Sequence, residues 1–212
     1  MPLRPYKSIP GRQIILIQCE GRRTEYVYLD AFCAHCDLRH DATIDVNPGK
    51  GQSAVVTVET AIAKKKMEGT RGKRYDEVWC VLDVEHSGHA ATLTEAVALA
   101  KANDIRLVLS NPSFEVWLIA HFERVTKWFE NGDTAARHLS EVHWQKKFGC
   151  SYDKADDKLY ARLQDRLEDA LTNARWLMEE HNEGRACRDA NPSTDVYTLI
   201  EHLRPSPGPN IC

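Results

Sequence analysis

The chain has 212 residues, of which 42% are apolar and 28% charged, with a formal net charge of -3. These totals exclude a disordered or fibrous chain, and they exclude a polycation that would coat nucleic acid by charge alone. Apolar runs such as Ile14 to Ile17 and Val78 to Leu82 are too short to cross a bilayer, and seven cysteines without an apolar secretory stretch read as reduced thiols, so the expectation is a soluble cytoplasmic protein with no membrane association.

Residues 1–12 hold three prolines, Gly11 and three basic side chains, the composition of an irregular basic arm. Gln13 to Cys19 is aliphatic on consecutive rather than alternate positions, which predicts a strand covered on both faces. A helix is expected over Thr24 to Asp37 and a short strand over Ala42 to Val46. "NPGKGQS" then breaks the chain as a turn, and Ser53 opens a helix to about Glu68. "VWCVLD", residues 78–83, is a second strongly hydrophobic strand. Helix over Thr92 to Ala102, strand over Ile105 to Leu109 and a helix started by "SNPS" complete the alternation. Strand and helix alternating in this way predict an α/β domain over residues 13–122, with a central, mostly parallel sheet flanked by helices.

The character changes after Phe122. Residues 123–203 read as a helical extension: a pair formed by Thr134 to Phe148 and the amphipathic stretch over residues 154–181, then a capped closing helix within residues 191–203 that packs back on the domain. Residues 204–212 are a tail without a core face.

In open α/β sheets ligands gather beyond the carboxyl ends of the strands. Glu20 stands at the end of the first strong strand, and Asp83 and Glu85 at the end of "VWCVLD". If those strands are neighbours, three carboxylates converge, an arrangement whose mutual repulsion a cation relieves. Hard oxygen ligands favour Mg²⁺ or Mn²⁺ over zinc, and such an ion polarises a phosphate diester and activates water. Taken singly, each acid reads better as a helix cap or a solvated charge.

The segments "ILIQCEGRRTEYVYLDAF", "DEVWCVLDVEH" and "LSNPSFEVWLIAHF", in this order and spacing, resemble the RloB-like family of abortive-infection components, itself within the Toprim superfamily of metal-dependent phosphodiester enzymes. The resemblance covers roughly residues 10–122, and "NPSTDVYTLIEHL" is similar to the family's closing helix. It implies a Toprim-like Rossmannoid fold and a Mg²⁺-dependent, nuclease-like effector acting on DNA or RNA beside an ATPase partner in anti-phage defence. It further implies that Glu20, Asp83 and Glu85 are the catalytic, metal-holding acids. Glu85 departs from the aspartate more usual there.

Among secondary candidates, Glu115 at the fourth strand's end reads as a further metal ligand or as an acid favoured in a helix's first turn. Arg22 and Arg23 are placed to hold substrate phosphates, with an ion pair to Glu25 as the competing role. His86 and Asn111 are candidate substrate contacts, and His89 flanks the acids. Trp117, His121 and Phe122 fall on a short helix whose apolar members read as core. Cys33 and Cys36 have Cys-x-x-Cys spacing but no second pair, which favours helix cysteines over a zinc site. The rival from another class is a non-catalytic regulatory subunit docking on a defence ATPase. A nucleotidyl transferase requires a nucleotide pocket that the sequence does not reveal. The apolar stripe of residues 154–181 suits either a homo-oligomer interface or packing on the sheet.

Overall fold

A computed structural model of the chain describes residues 12–35, 38, 42–84 and 90–205, with the side chains of Ala90 and Ala91 outside that description. Five strands form one sheet: β1 (Gln13–Cys19), β2 (Ala42–Asn47), β3 (Glu77–Asp83), β4 (Arg106–Asn111) and β5 (Ser193–Thr194). Their order is β2-β1-β3-β4-β5, parallel except for β5, which runs antiparallel to β4. The expected α/β architecture with a mostly parallel sheet is therefore present, and it is consistent with a Toprim-like or Rossmann-like fold.

The consecutive aliphatic residues of β1 and β3 are explained by cover on both faces. Ile15, Ile17 and Cys19 of β1 and Trp79 and Val81 of β3 belong to one core cluster, while Leu16 of β1 and Val78, Cys80 and Leu82 of β3 belong to the other. Helices α2 (Ala54–Thr70) and α3 (Ala90–Ala102) contribute to the second cluster; α1 (Thr24–His35), α4 (Glu115–Ala120) and the segments after residue 122 contribute to the first. Side chains alternate across a strand, so neither face tolerates a polar period.

Beyond α4 the structure departs from two long helices. The first expected helix is α5 (Gly132–His138), a π-helical turn Leu139–Trp144, and α6 (Gln145–Phe148). The second is α7 (Leu159–Leu163), a 3₁₀ turn Gln164–Arg166, α8 (Leu167–Trp176) and a second π turn Leu177–His181. Leu159, Leu163, Leu167, Ala170, Leu171, Ala174 and Leu177 are all buried and join the first cluster, so this stripe packs on its own domain. The closing segment also differs: β5 precedes α9 (Val196–Leu203), whose Val196, Leu199, Ile200 and Leu203 are fully buried. Four aliphatic side chains of this kind contribute about 1.5–3 kcal/mol each relative to exposure.

β5 is anchored to β4 by two further contacts. Ser110 and Thr194 hydroxyls meet at 2.8 Å, and the Asp195 backbone N–H donates to the Leu109 carbonyl at 2.8 Å. Burial pushes the Asp195 carboxyl up to about 6, against a smaller opposing effect of its hydrogen bonding. Trp117 is a core residue, as expected, and His121 is fully buried beside it, whereas Phe122 is half-buried. Because a carbonyl only accepts, the 3.0 Å contact from His121 Nδ1 to the Trp117 carbonyl puts the proton on Nδ1, and Nε2 accepts from the Tyr28 hydroxyl at 3.0 Å. Desolvation holds this imidazole neutral, with its pKa lowered to about 4.

Among the described residues, no helix is long and apolar enough to cross a membrane.

Candidate metal centre and cleft

β1 and β3 are parallel neighbours, with Cys19 opposite Val81, so their carboxyl ends lie side by side. The Glu20 backbone N–H extends the ladder to the Val81 carbonyl at 3.1 Å, and Glu20 Oε2 accepts the Asp83 backbone N–H at 3.1 Å. Of the three acids expected to converge, Glu20 and Asp83 do so, and both are partly buried in the wall of one cleft of about 950 Å³. Glu85, His86, His89 and Cys36 lie outside the described residues.

Gly49 and Gly51, expected only to make a turn, clasp the strand end. Their N–H groups donate to the carbonyls of Gly21 and Glu20, each at 3.0 Å. A Cβ on Gly49 would fall 1.8 Å from the Glu20 carbonyl oxygen, so only glycine permits this approach. The loop after β2 thereby fixes the backbone that carries Glu20. At Gly21 an added Cβ would meet Glu25 Oε2 at 2.6 Å, so this glycine makes room for a carboxylate rather than for a metal ion directly.

That carboxylate leads to a second group of charges. Glu25, in the first turn of α1, is 7% exposed, and Glu115, the first residue of α4, is 2% exposed. Desolvation raises the Glu25 pKa, the Glu115 carboxylate raises it further, and backbone hydrogen bonds and Lys154 oppose the rise. Glu115 accepts from the Ser113 hydroxyl at 2.5 Å and from the Tyr152 hydroxyl at 3.3 Å, and lies 3.5 Å from Lys154 Nζ. Glu25, Glu115, Lys154 and Asp83 line a second cavity of about 240 Å³ together with Arg22 and Arg23. Gly21, Glu25 and Asp83 line both cavities and so join the cleft to the acid pair.

Arg22 and Arg23 are exposed at this rim, while Glu25 turns inward, so the alternative Arg–Glu25 ion pair does not form among the described residues. Asn111 lines the cleft, but its amide donates to the carbonyls of Cys187 and Arg188 at 3.3 and 3.4 Å, which holds Arg188 on the cleft wall. Cys33 is half-buried in α1.

Sequence reasoning missed Glu25, Lys154, Arg188 and Trp128. Glu25 carried a signal, since it sits five residues beyond Glu20 with Gly21 between them. Trp128 carried none: its ring is 64% exposed on the cleft rim although it lies between a buried Val125 and a buried Phe129.

The donors at the strand ends, Glu20 and Asp83, with Glu25 and Glu115 behind them, are all carboxylate oxygens. Such a set fits a hard cation of the Mg²⁺ or Mn²⁺ class and does not fit thiophilic metals. A family model described as RloB-like protein matches residues 15–203. Comparison with curated proteins gives no match, and comparison with solved structures gives none.

Proposed function

The chain belongs to the RloB-like family, and from that premise we propose that it is a Toprim-type, Mg²⁺- or Mn²⁺-dependent hydrolase of nucleic-acid phosphodiesters that acts in phage defence with an ATPase partner. The observation that carries this reading is the pairing of Glu20 and Asp83 at adjacent parallel strand ends inside one cleft of about 950 Å³.

Glu20 and Asp83 would hold the ion, with Glu25 and Glu115 as further oxygen donors. When bound, the ion would polarise the scissile phosphate and lower the pKa of the attacking water. The chain's own residues do the rest. The ladder bond from Glu20 to Val81 and the clasp by Gly49 and Gly51 fix the Glu20 backbone before substrate arrives. Arg22, Arg23 and Arg188 supply guanidinium groups for phosphate oxygens around an otherwise acidic centre. This local patch answers the net charge of -3, which gives no general attraction to nucleic acid. Trp128 offers an exposed ring on which an unpaired base can stack.

The test incubates the purified full chain with single-stranded DNA, duplex DNA and RNA, with Mg²⁺, with Mn²⁺ and with a chelator, and with and without the ATPase. Cleavage that needs the ion and disappears in Asp83→Ala supports the reading. Binding of the ATPase with no cleavage of any substrate under these conditions would replace it with the regulatory-subunit reading.

A further inference from the structure

Glu123, His138 and His143 lie outside the cleft chemistry, and their potential ligand atoms all fall within 4.8 Å of one another. Glu123 Oε1 is 2.7 Å from His138 Nε2 and 3.1 Å from His143 Nε2. The second contact lacks hydrogen-bond alignment, and His143 Nε2 is shielded from solvent. Two imidazoles therefore present the same ring nitrogen to one carboxylate oxygen, which satisfies only one of them by hydrogen bonding.

The backbone is bent to make this arrangement. The histidines are five positions apart, which on a regular α-helix would place them about 140° apart around the axis. Here they are joined by the π-helical turn Leu139–Trp144, in which the Gln145 N–H bonds to the Ser140 carbonyl five residues back. A π turn brings residues five apart to one side, and such turns recur at functional sites. The rings are then locked: His143 stacks on Phe122 at 4.9 Å and 11°, and His138 leans on Phe129 at 5.4 Å. Glu123 is drawn from the loop after α4, so the three groups join two segments distant in sequence.

We propose that Glu123, His138 and His143 form a second metal site, for a Zn²⁺-class ion, distinct in chemistry from the all-oxygen centre of the cleft. Two imidazoles and one carboxylate are a common three-ligand set for zinc, with water in the fourth position. The Glu123 side chain is 36% exposed, which leaves that position open to water. The site clamps the loop after α4 to the α5–α6 helix, and so holds in place the segment that carries Trp128.

The experiment uses the metal-free full chain and Zn²⁺ or Co²⁺ alone. One equivalent of Zn²⁺ is expected to bind, raising Tm by roughly 5–10 °C at a hundredfold excess over Kd. Co²⁺ is expected to give visible d–d bands without a thiolate charge-transfer band. Glu123→Gln and His143→Ala are each expected to weaken binding by on the order of 100-fold, while the response to Mg²⁺ is unchanged. Should His143→Ala fail to fold, Glu123→Gln decides, because that side chain is partly exposed and its replacement still accepts a hydrogen bond. Absence of stoichiometric binding, a thiolate band, or full affinity in Glu123→Gln overturns the site.

Discussion

The Asp83 backbone N–H donates to the Glu20 carboxylate at 3.1 Å, across two parallel strands that are 63 residues apart in sequence at this point. One acid thereby orients the other through the main chain, and the bond survives changes to the Asp83 side chain. Asp83→Asn and Glu20→Gln should each lower metal-dependent cleavage by on the order of 10³-fold or more. Unfolding midpoints in urea should stay close to wild type. Full cleavage in either variant would remove that acid from the centre.

The buried pair of Glu25 and Glu115 relies on Lys154. Lys154→Ala should destabilise the fold by about 1 kcal/mol; the loss stays below that of a fully buried pair because Lys154 remains 42% exposed and hydrated. The Glu25 pKa is raised in the folded state, so its contribution is present at low pH and lost as pH rises through that pKa. The deficit of Lys154→Ala is therefore expected to be larger at pH 8 than at pH 5, read from urea unfolding at both.

Two glycines give a matched comparison. Gly49→Ala places a Cβ 1.8 Å from the Glu20 carbonyl oxygen, and should cost about 2 kcal/mol or more and reduce cleavage by displacing Glu20. Gly69→Ala, in α2 with open space around its Cβ, should stabilise by about 0.5–1 kcal/mol and leave cleavage unchanged. Equal effects of the two would refute the clasp.

His121 and Asp195 impose opposite pH slopes. The His121 pKa falls to about 4 from 6.5, so the unfolded chain takes up that proton first, and its contribution is present above pH 6.5 and lost as pH falls to about 4. The Asp195 pKa rises to about 6 from 3.8, so the native chain takes up that proton first, and its contribution is present below pH 3.8 and lost as pH rises through about 6. Each amounts to at most about 3.5 kcal/mol. Asp195→Asn should remove one slope and make stability fall more steeply between pH 6 and 4 than in wild type, in unfolding series at three pH values.

Trp128→Ala should weaken binding of single-stranded nucleic acid by about 1–3 kcal/mol in a fluorescence titration. Thermal stability should hardly move, because the ring is exposed. Unchanged affinity would leave the ring without a role in binding.

What could be read in advance follows from how local each signal is. Ile14 to Ile17 and "VWCVLD" announced buried parallel strands because every position had to be apolar, and the acids at their ends followed. Convergence of Glu20 and Asp83 required only that β1 and β3 be neighbours. β5 was illegible: two residues carry no period, and Ser193 and Thr194 are polar yet fully buried. The breaks at the π turns were equally hidden, since an apolar stripe over residues 159–177 is compatible with a continuous helix. Lys154 reaches Glu115 from a loop 39 residues away, a meeting that no spacing in the sequence encodes.

β5 has a consequence for how the protein is born. Ribosomes deliver the chain from its N-terminus, so β1 to β4 emerge with the outer edge of β4 unpaired, and that edge stays exposed until residues 193–194 arrive. Arg188 and Asn191 of the cleft wall appear just before them. Nascent chains carrying both Glu20 and Asp83 therefore still lack part of their cleft, which stays incomplete until nearly all of this sequence has been translated. A fragment halted near residue 180 would display a sticky strand edge, and its expected fate is degradation.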